Sequence, residues 1–475
     1  MDFFSRLPSL VQSDIIIRLE SEADIMSLIQ ASPAMLSHFT AYRLSILRAI
    51  LNNLLANDKA GDMIRDALGI VFISNASKAR LYHNDGLWNT LELCQHNIDD
   101  LRRLHRLFSR MITFIEDYIT KATNKFPPRA YMGLPDLKTG TGSYFKGRPV
   151  NTDPVRFTTL TSSERQRLLA CFLRYELLSK IHHPQVWTIR ERIKLYNKIA
   201  QSYGLSRLSN LELPSVHEYY RGLYGAIFAH CQDSWLPDQP GICHKGMMRN
   251  DGPSDDCRLL FPDNLFFDAR AYLAELNIKK IFNLDVLPSL GLDLITTLVI
   301  FLNKDPGNSQ HVRKWLRTFL TSTGVEYYPW IDDSCFYLQS YKEGYLHDNS
   351  LSNLNNRPKG FITLQHQIWK QRAWGLLDDS RLWPEMTSHF PTVHRLRKLD
   401  EGLIMDHARR ERRSQKWQDY YAGKRLNAPR HQRDEETDQD VPQEYTGFVT
   451  RFFDKVPGAG LPTAWNIDSE DQQDM

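Results

Sequence analysis

Apolar residues along this chain recur with a helical period far more often than they alternate. Val11, Ile15 and Leu19 fall at the i, i+4 spacing of a single helical face. Ser9 with Gln12 three residues later matches a capping box at the start of that helix. Ser21 and Asp24 repeat the N-terminal pattern ahead of Ile25, Leu28 and Ile29. Ser32-Pro33 reads as the N-cap and first residue of a third helix, where proline's missing amide costs nothing. Behind it Leu36, Phe39, Arg43, Ile46, Leu47, Ile50 and Leu54 keep the period, with Arg43 the one charged member. Three short helices are predicted within residues 1–55.

The same period continues beyond them. Leu87 to Thr123 predicts one long helix or two, with Leu91, Ile98, Leu101, Leu104, Phe108, Met111, Ile115 and Ile119 facing inward. Phe126 to Pro154 breaks the pattern with Pro127-Pro128, Gly140, Gly142, Gly147 and Pro149, and predicts a long surface loop. Helices are predicted again at about 162–181, 187–202, 216–231, 264–276, 288–303 and 310–322. The Pro-, Gly- and Asp-rich stretch Asp233 to Pro262 predicts a second loop. The expected fold is mostly α: a three-helix module at 1–55, and a larger helical domain at 60–400 with loops near 126–157 and 233–262. A basic helix at 401–425 and an acidic, largely disordered tail at 426–475 complete it.

The N-terminal module carries surplus apolar surface. Ile15, Ile16 and Ile17 are consecutive, so at least one points away from the face the others bury, and Met26 and Ile29 crowd the next helix. A unit this small buries only about 60% of its unfolded surface, and each large aliphatic taken from water is worth roughly 1.5–3 kcal/mol. Some of these side chains need a neighbour outside the module, either a second protein or the rest of this chain.

The run Leu7-Pro8, Val11, Ile15-Ile16, Leu19, Asp24-Ile25, Leu28 resembles the first half of an F-box, spacing included. Ala31-Ser32-Pro33 with Phe39 and Arg43 is similar to the second half found in F-box-like proteins of filamentous fungi. Leu10 stands where that pattern usually has Glu, and the usual Cys-Lys-x-Trp segment is absent. Looser likeness to the same proteins extends to about residue 385, through Leu160 to Arg165 with Phe172 and Arg174 to Leu177, and through Gln371 to Gly375 with Asp378 to Trp383. Physically, the first of these reads as a capped amphipathic helix with Arg174 and Glu176 at its polar margin, and the second as an aromatic turn closing the domain. The resemblance implies a partner, the small adaptor subunit of cullin-RING ubiquitin ligases. Leu7, Pro8, Val11, Ile15, Leu19, Ile25 and Leu28 would then form the docking platform, and residues beyond about 60 would select an unidentified protein substrate.

Composition narrows the remainder. The chain has 475 residues, 42% of them apolar, and a net charge of +3, so no global charge demands a nucleic acid or a membrane. Cys94, Cys171, Cys231, Cys243, Cys257 and Cys335 lie far apart, unlike a disulfide framework. Asp2 and Arg6 interrupt any secretory leader, and the most apolar run, Leu294 to Leu302, is far short of the about 20 residues of a membrane span. An intracellular protein, cytoplasmic or nuclear, is expected.

Candidate chemistry is sparse. His230-Cys231, Cys243-His244 and Cys257 supply imidazole and thiolate, but not the close pairs of a structural zinc site. Gly140-Thr141-Gly142-Ser143 resembles a phosphate-cradling loop without the Gly-Lys-Ser/Thr that would follow it. The pairs Asp255-Asp256, Asp332-Asp333 and Asp378-Asp379 diverge as neighbours on any regular element, which favours loop and N-cap roles. His217-Glu218 lacks the second His of a zinc-protease helix, and no nucleophile elbow occurs. A non-catalytic protein without metal or cofactor is expected. Arg409, Arg410, Arg412, Arg413, Lys424 and Arg425, interleaved with Trp417, Tyr420 and Tyr421, form a basic patch ahead of the acidic Asp434 to Glu444. That patch is read as an exposed charged helix, a nuclear-import signal or a nucleic-acid contact.

Overall fold

A computed structural model gives the fold. Apart from isolated positions, it describes residues 2–19, 22–58, 61–73, 98–137, 142–181, 212–237, 266–273, 286–322, 367–382 and 414–427. The protein is mostly α-helical. By compactness it divides into two units. One comprises Met1–Asp117, Pro135–Gly142 and Pro154–Val186, the other Tyr118–Leu134, Ser143–Asp153 and Trp187–Met475. Among the described residues no helix is long and apolar enough to cross a membrane.

The first unit opens with α1 (Ser9–Leu19), α2 (Glu22–Ala31) and α3 (Pro33–Leu54). Ser32 caps α3 as its spacing predicts, its Oγ accepting the Met35 amide at 3.1 Å with Pro33 following. The capping box expected at Ser9 is not formed. The Pro8 carbonyl accepts the amides of Val11 and Gln12, and the Gln12 side chain reaches back to the carbonyls of Phe4 (2.8 Å) and Leu7 (3.1 Å). A short 3-10 turn, Phe3–Arg6, brings those carbonyls within its reach. Helix α3 bends at Tyr42 (φ −115°, ψ 18°), whose carbonyl accepts the Ser45 hydroxyl at 2.8 Å, a back-bond that disturbs the regular ladder.

Helices α4 (Asp62–Phe72) and α7 (Ser162–Ile181) pack on each other in the same unit. The Thr161 and Glu164 side chains and amides satisfy each other in a true capping box (2.9 and 3.2 Å) at the start of α7. The rest of that helix departs from the amphipathic expectation. Arg174 and Glu176 are not at a polar margin: Glu176 is buried, and Arg174 makes a 2.7 Å ion pair with Asp66 of α4. Two oppositely charged helix faces meeting inside look, to a hydrophobic period, like a solvent edge.

Helix α5 (Ile98–Thr123) runs from the first unit into the second, and Leu101, Leu104, Phe108, Met111, Ile115 and Ile119 are buried as predicted. After it the expected surface loop 126–154 gives way to a partly buried segment. It holds α6 (Pro127–Met132), and Phe126, Tyr131, Met132, Leu134, Phe145 and Val150 are all buried. Strands β2 (Ser143–Phe145) and β3 (Arg148–Pro149) pair antiparallel after the two-residue β1 (Leu134–Pro135), Phe145 opposite Arg148. Lys146 (φ 48°) and Gly147 (φ 77°) make the two-residue turn with both φ positive that tight hairpins prefer. Prolines and glycines signalled the chain reversals here; they carried no information about burial.

The second unit is organised on α8 (Glu212–His230), whose residues from Glu212 to Ala229 are all buried. Gly222 and Gly225 make that possible. A Cβ at 222 would lie 2.8 Å from the Tyr131 ring, and one at 225 would lie 2.7 and 2.8 Å from Cβ and Cα of Ala269. Helices α9 (Ala269–Leu273) and α10 (Leu292–Lys304) pack on it, α11 (Asn308–Ser322) packs on α10, and the short α12 (Asp379–Leu382) follows in sequence. The last described helix is α13 (Gln415–Tyr421), shorter than the basic helix expected over 401–425; residues 423–427 are not helical, and 401–413 lie outside the described residues. The expected helix at 187–202 and the acidic tail after 427 lie outside them too.

Candidate functional site

The first candidate is the module α1–α3. Ile16, Ile25, Ile29, Met35, Phe39, Ile46 and Ile50 form its core, and Phe4, Ile15, Ile17, Leu19, Met26, Leu28 and Leu54 pack partly buried against them. Every one of these lies within residues 4–54, so the surplus aliphatics of α1 and α2 are absorbed largely by the module itself. Ile25, expected on the docking platform, is 2% exposed and belongs to this core, so it offers no surface to a partner. Ile15, Leu19 and Leu28 straddle core and surface, Leu7 is half-buried, and Pro8 and Val11 are exposed.

The most exposed apolar residues of the module lie off the predicted face. Leu10 is 83% exposed and Phe3 79%. Leu10 was visible only as the residue standing where Glu was expected; with Leu7 and Val11, at i−3 and i+1, it gives the start of α1 an apolar edge. The module is tied together by polar contacts. Asp2 accepts from Phe4 N (3.0 Å), Ala34 N (2.9 Å) and Ser32 Oγ (2.7 Å), and these bonds hold its carboxyl below the usual range. Ser13 Oγ and His38 Nε2 meet at 2.8 Å between α1 and α3. Arg43 stacks over Phe39 at 5.3 Å, its pKa lowered by burial and by Arg102 and Arg106.

The second candidate is a buried polar centre in the second unit, built around residues 367–377. Gln371 is 1% exposed. Its Nε2 donates to Glu218 Oε1 (3.0 Å) and to the Phe267 carbonyl (2.8 Å), while its Oε1 accepts the Phe267 amide (3.0 Å). Glu218 is also ion-paired with Arg221 one turn on. Tyr118 and Tyr131 donate their hydroxyls to the carbonyls of Lys370 (2.5 Å) and Gln371 (2.7 Å). Arg372 donates to the carbonyls of Ala122 and Asn124, so a cation closes the C-terminal end of α5. Burial lowers its pKa to about 10, which leaves it charged at neutral pH. Through these bonds the arrangement is a clasp that joins distant segments. Of the expected aromatic turn, Trp374 packs on Trp369 at 4.5 Å and Trp383 lies outside the described residues; the polar side chains beside it make the long-range bonds.

The remaining candidates resolve individually. His230 is half-buried, hydrogen-bonded to the Met132 carbonyl at 3.2 Å, with its pKa pushed down to about 3 mainly by desolvation. Burial pushes the Cys231 thiol up to about 12, so it is neither thiolate nor nucleophile at neutral pH. Cys243, His244 and Cys257 lie outside the described residues, and among those described no three His, Cys, Asp or Glu side chains are placed to hold a metal ion. Gly142 leads into strand β2 instead of a helix, so the phosphate cradle is not built. Asp378 stands before α12 with its carbonyl accepting the Leu382 amide, and His217 and Glu218 are buried within α8. Of the basic patch, Lys424 lies over the Trp235 ring at 5.6 Å and Arg425 is exposed; Arg409, Arg410, Arg412 and Arg413 lie outside the described residues.

Comparison of the chain with protein-family models, with curated proteins and with solved structures finds no match. The molecule is thus defined by its own fold as a mostly α-helical protein, and the F-box resemblance rests on the residues of the N-terminal module.

Proposed function

We propose that this protein is an F-box-like adaptor, in which residues 7–51 dock the small adaptor subunit of a cullin-RING ubiquitin ligase and the remainder recruits a protein substrate. The observation that supports this most is the exposed apolar edge of α1. Leu10 is 83% and Val11 40% exposed on a module whose interior is already filled by its own Ile16, Ile25, Ile29 and Met35. Apolar side chains left outside a closed core are the usual anchors of a helix-in-groove interface. In this reading the protein is non-catalytic, the transfer chemistry belongs to other subunits, and it works in the cytoplasm or nucleus.

The test is capture of the full-length protein by the purified adaptor subunit, beside a Leu10→Asp, Val11→Asp double variant. Both positions are exposed, so circular dichroism and melting of the variant are expected to match the wild type. Affinity is expected to fall at least about a hundredfold, as two buried anchors at about 1.4 kcal/mol or more each imply. Absence of capture by the wild type, or equal capture of both proteins, would leave the module a purely structural element.

A further inference from the structure

Residues 414–427 fold back on residues 233–235 of the same unit. Ser414 pairs with Ser234 as an antiparallel bridge, and the Gln415 amide donates to the Asp233 carbonyl at 2.6 Å. The Asp233 carboxylate accepts the Ser414 hydroxyl at 3.4 Å and the Lys416 amide at 3.3 Å, so an acid distant in sequence caps the start of α13. At the other end Lys424 covers Trp235. Lys416, Lys424 and Arg425 are exposed, and Ser414 is half-buried. In sequence, Arg409, Arg410, Arg412 and Arg413 stand five, four, two and one positions before Ser414.

We propose that Ser414 is a phosphorylation site for an arginine-directed kinase, and that its modification detaches this basic segment from Asp233 and Trp235. The chemistry is a phosphoryl transfer from a nucleoside triphosphate. A bond forms between Ser414 Oγ and the γ-phosphorus, the bond from that phosphorus to the departing diphosphate breaks, and the hydroxyl proton leaves to the kinase base. The product places a group of charge about −2 against the Asp233 carboxylate, where a neutral hydroxyl had been donating. The donor is lost and like charges are brought together, which opposes the bridge. The upstream arginines, interrupted by Glu411 three positions before Ser414, supply the cationic context such kinases read through acidic subsites. The proposal goes beyond the adaptor reading and does not depend on it.

The experiment uses the full-length protein with ATP and the cyclic-AMP-dependent protein kinase, an enzyme that selects serines preceded by arginines. Mass spectrometry is expected to find phosphate on Ser414 that is absent from Ser414→Ala; an unmodified Ser414 overturns the proposal. Release is read as tryptic cleavage after Lys424 and Arg425, expected to be about tenfold faster once Ser414 is phosphorylated. In Asp233→Asn the amide oxygen still accepts from Lys416 but carries no charge, and phosphorylation is expected to accelerate cleavage by less than about threefold. Unchanged cleavage of the phosphorylated wild type, or equal acceleration in both proteins, overturns it.

Discussion

Asp66 and Arg174 hold opposite helices at 2.7 Å with only 10% and 12% of their side chains exposed, and the pair shows how a buried charge is tolerated here. Burial raises the Asp66 pKa to about 6, with Asp62 and Asp58 adding to the rise and Arg174 opposing it. Breaking the pair by Arg174→Met strands a buried acid and is expected to cost about 3–5 kcal/mol in urea unfolding. The double variant Asp66→Leu, Arg174→Met is expected to recover most of that, because it removes both buried charges together. A double variant no more stable than the single one would show that the pair does more than neutralise itself. The pH dependence follows from the sign of the shift. The native state binds this proton more tightly than the unfolded chain, so the contribution of Asp66 to stability is highest below about pH 4 and falls by roughly 3 kcal/mol as pH rises to about 6. Asp66→Asn is therefore expected to gain on the wild type as pH rises from 4 to 7, measured as the difference in Tm. A constant difference would contradict the raised pKa.

Helix α8 resolves a competition between propensity and packing. Alanine is favoured over glycine in a helix interior by about 1 kcal/mol, yet a Cβ at 225 would meet the backbone of Ala269 at 2.8 Å, which cannot swing away as a side-chain tip can. Gly225→Ala is thus expected to destabilise by about 1–3 kcal/mol net; a higher Tm would show that α9 moves aside freely. The elements also show where the sequence was legible. Ser32-Pro33 announced α3 because a cap is local chemistry, complete within three residues. Gln12 was misassigned because its partners are the carbonyls of Phe4 and Leu7, presented by a one-turn 3-10 helix too short to show a period. The segment 126–154 was misread because composition reports chain reversal and is silent on burial.

Across the whole molecule, periodicity was sufficient for the mostly helical class and for the inward face of α5, and insufficient for the polar centre around Gln371. Glu218 and Gln371 are 153 residues apart, and nothing in either neighbourhood signals the other. The exposed edge of α1 was half legible, since Val11 falls on the predicted face while Leu10 showed only as a departure from a pattern. A helix buried almost from end to end should also be the last to open. Amides of 216–229 are expected to exchange with deuterium more slowly than those of 300–304, which end α10 beside the exposed Ile300. Comparable rates would mean that α8 opens without the rest of its unit.

The clasp at 367–377 also has a consequence in time, because a chain is made from one end. Tyr131 leaves the ribosome 240 residues before the carbonyl of Gln371 that its hydroxyl meets. At about 5–20 residues per second that is a delay of roughly 12–48 s. The end of α5, and later Glu218 and the backbone of Phe267, are all made before Gln371 and Arg372, whose side chains tie them together. The nascent second unit must wait in an open form, and a ribosome stalled before residue 371 would hold out just such a chain to chaperones and proteases.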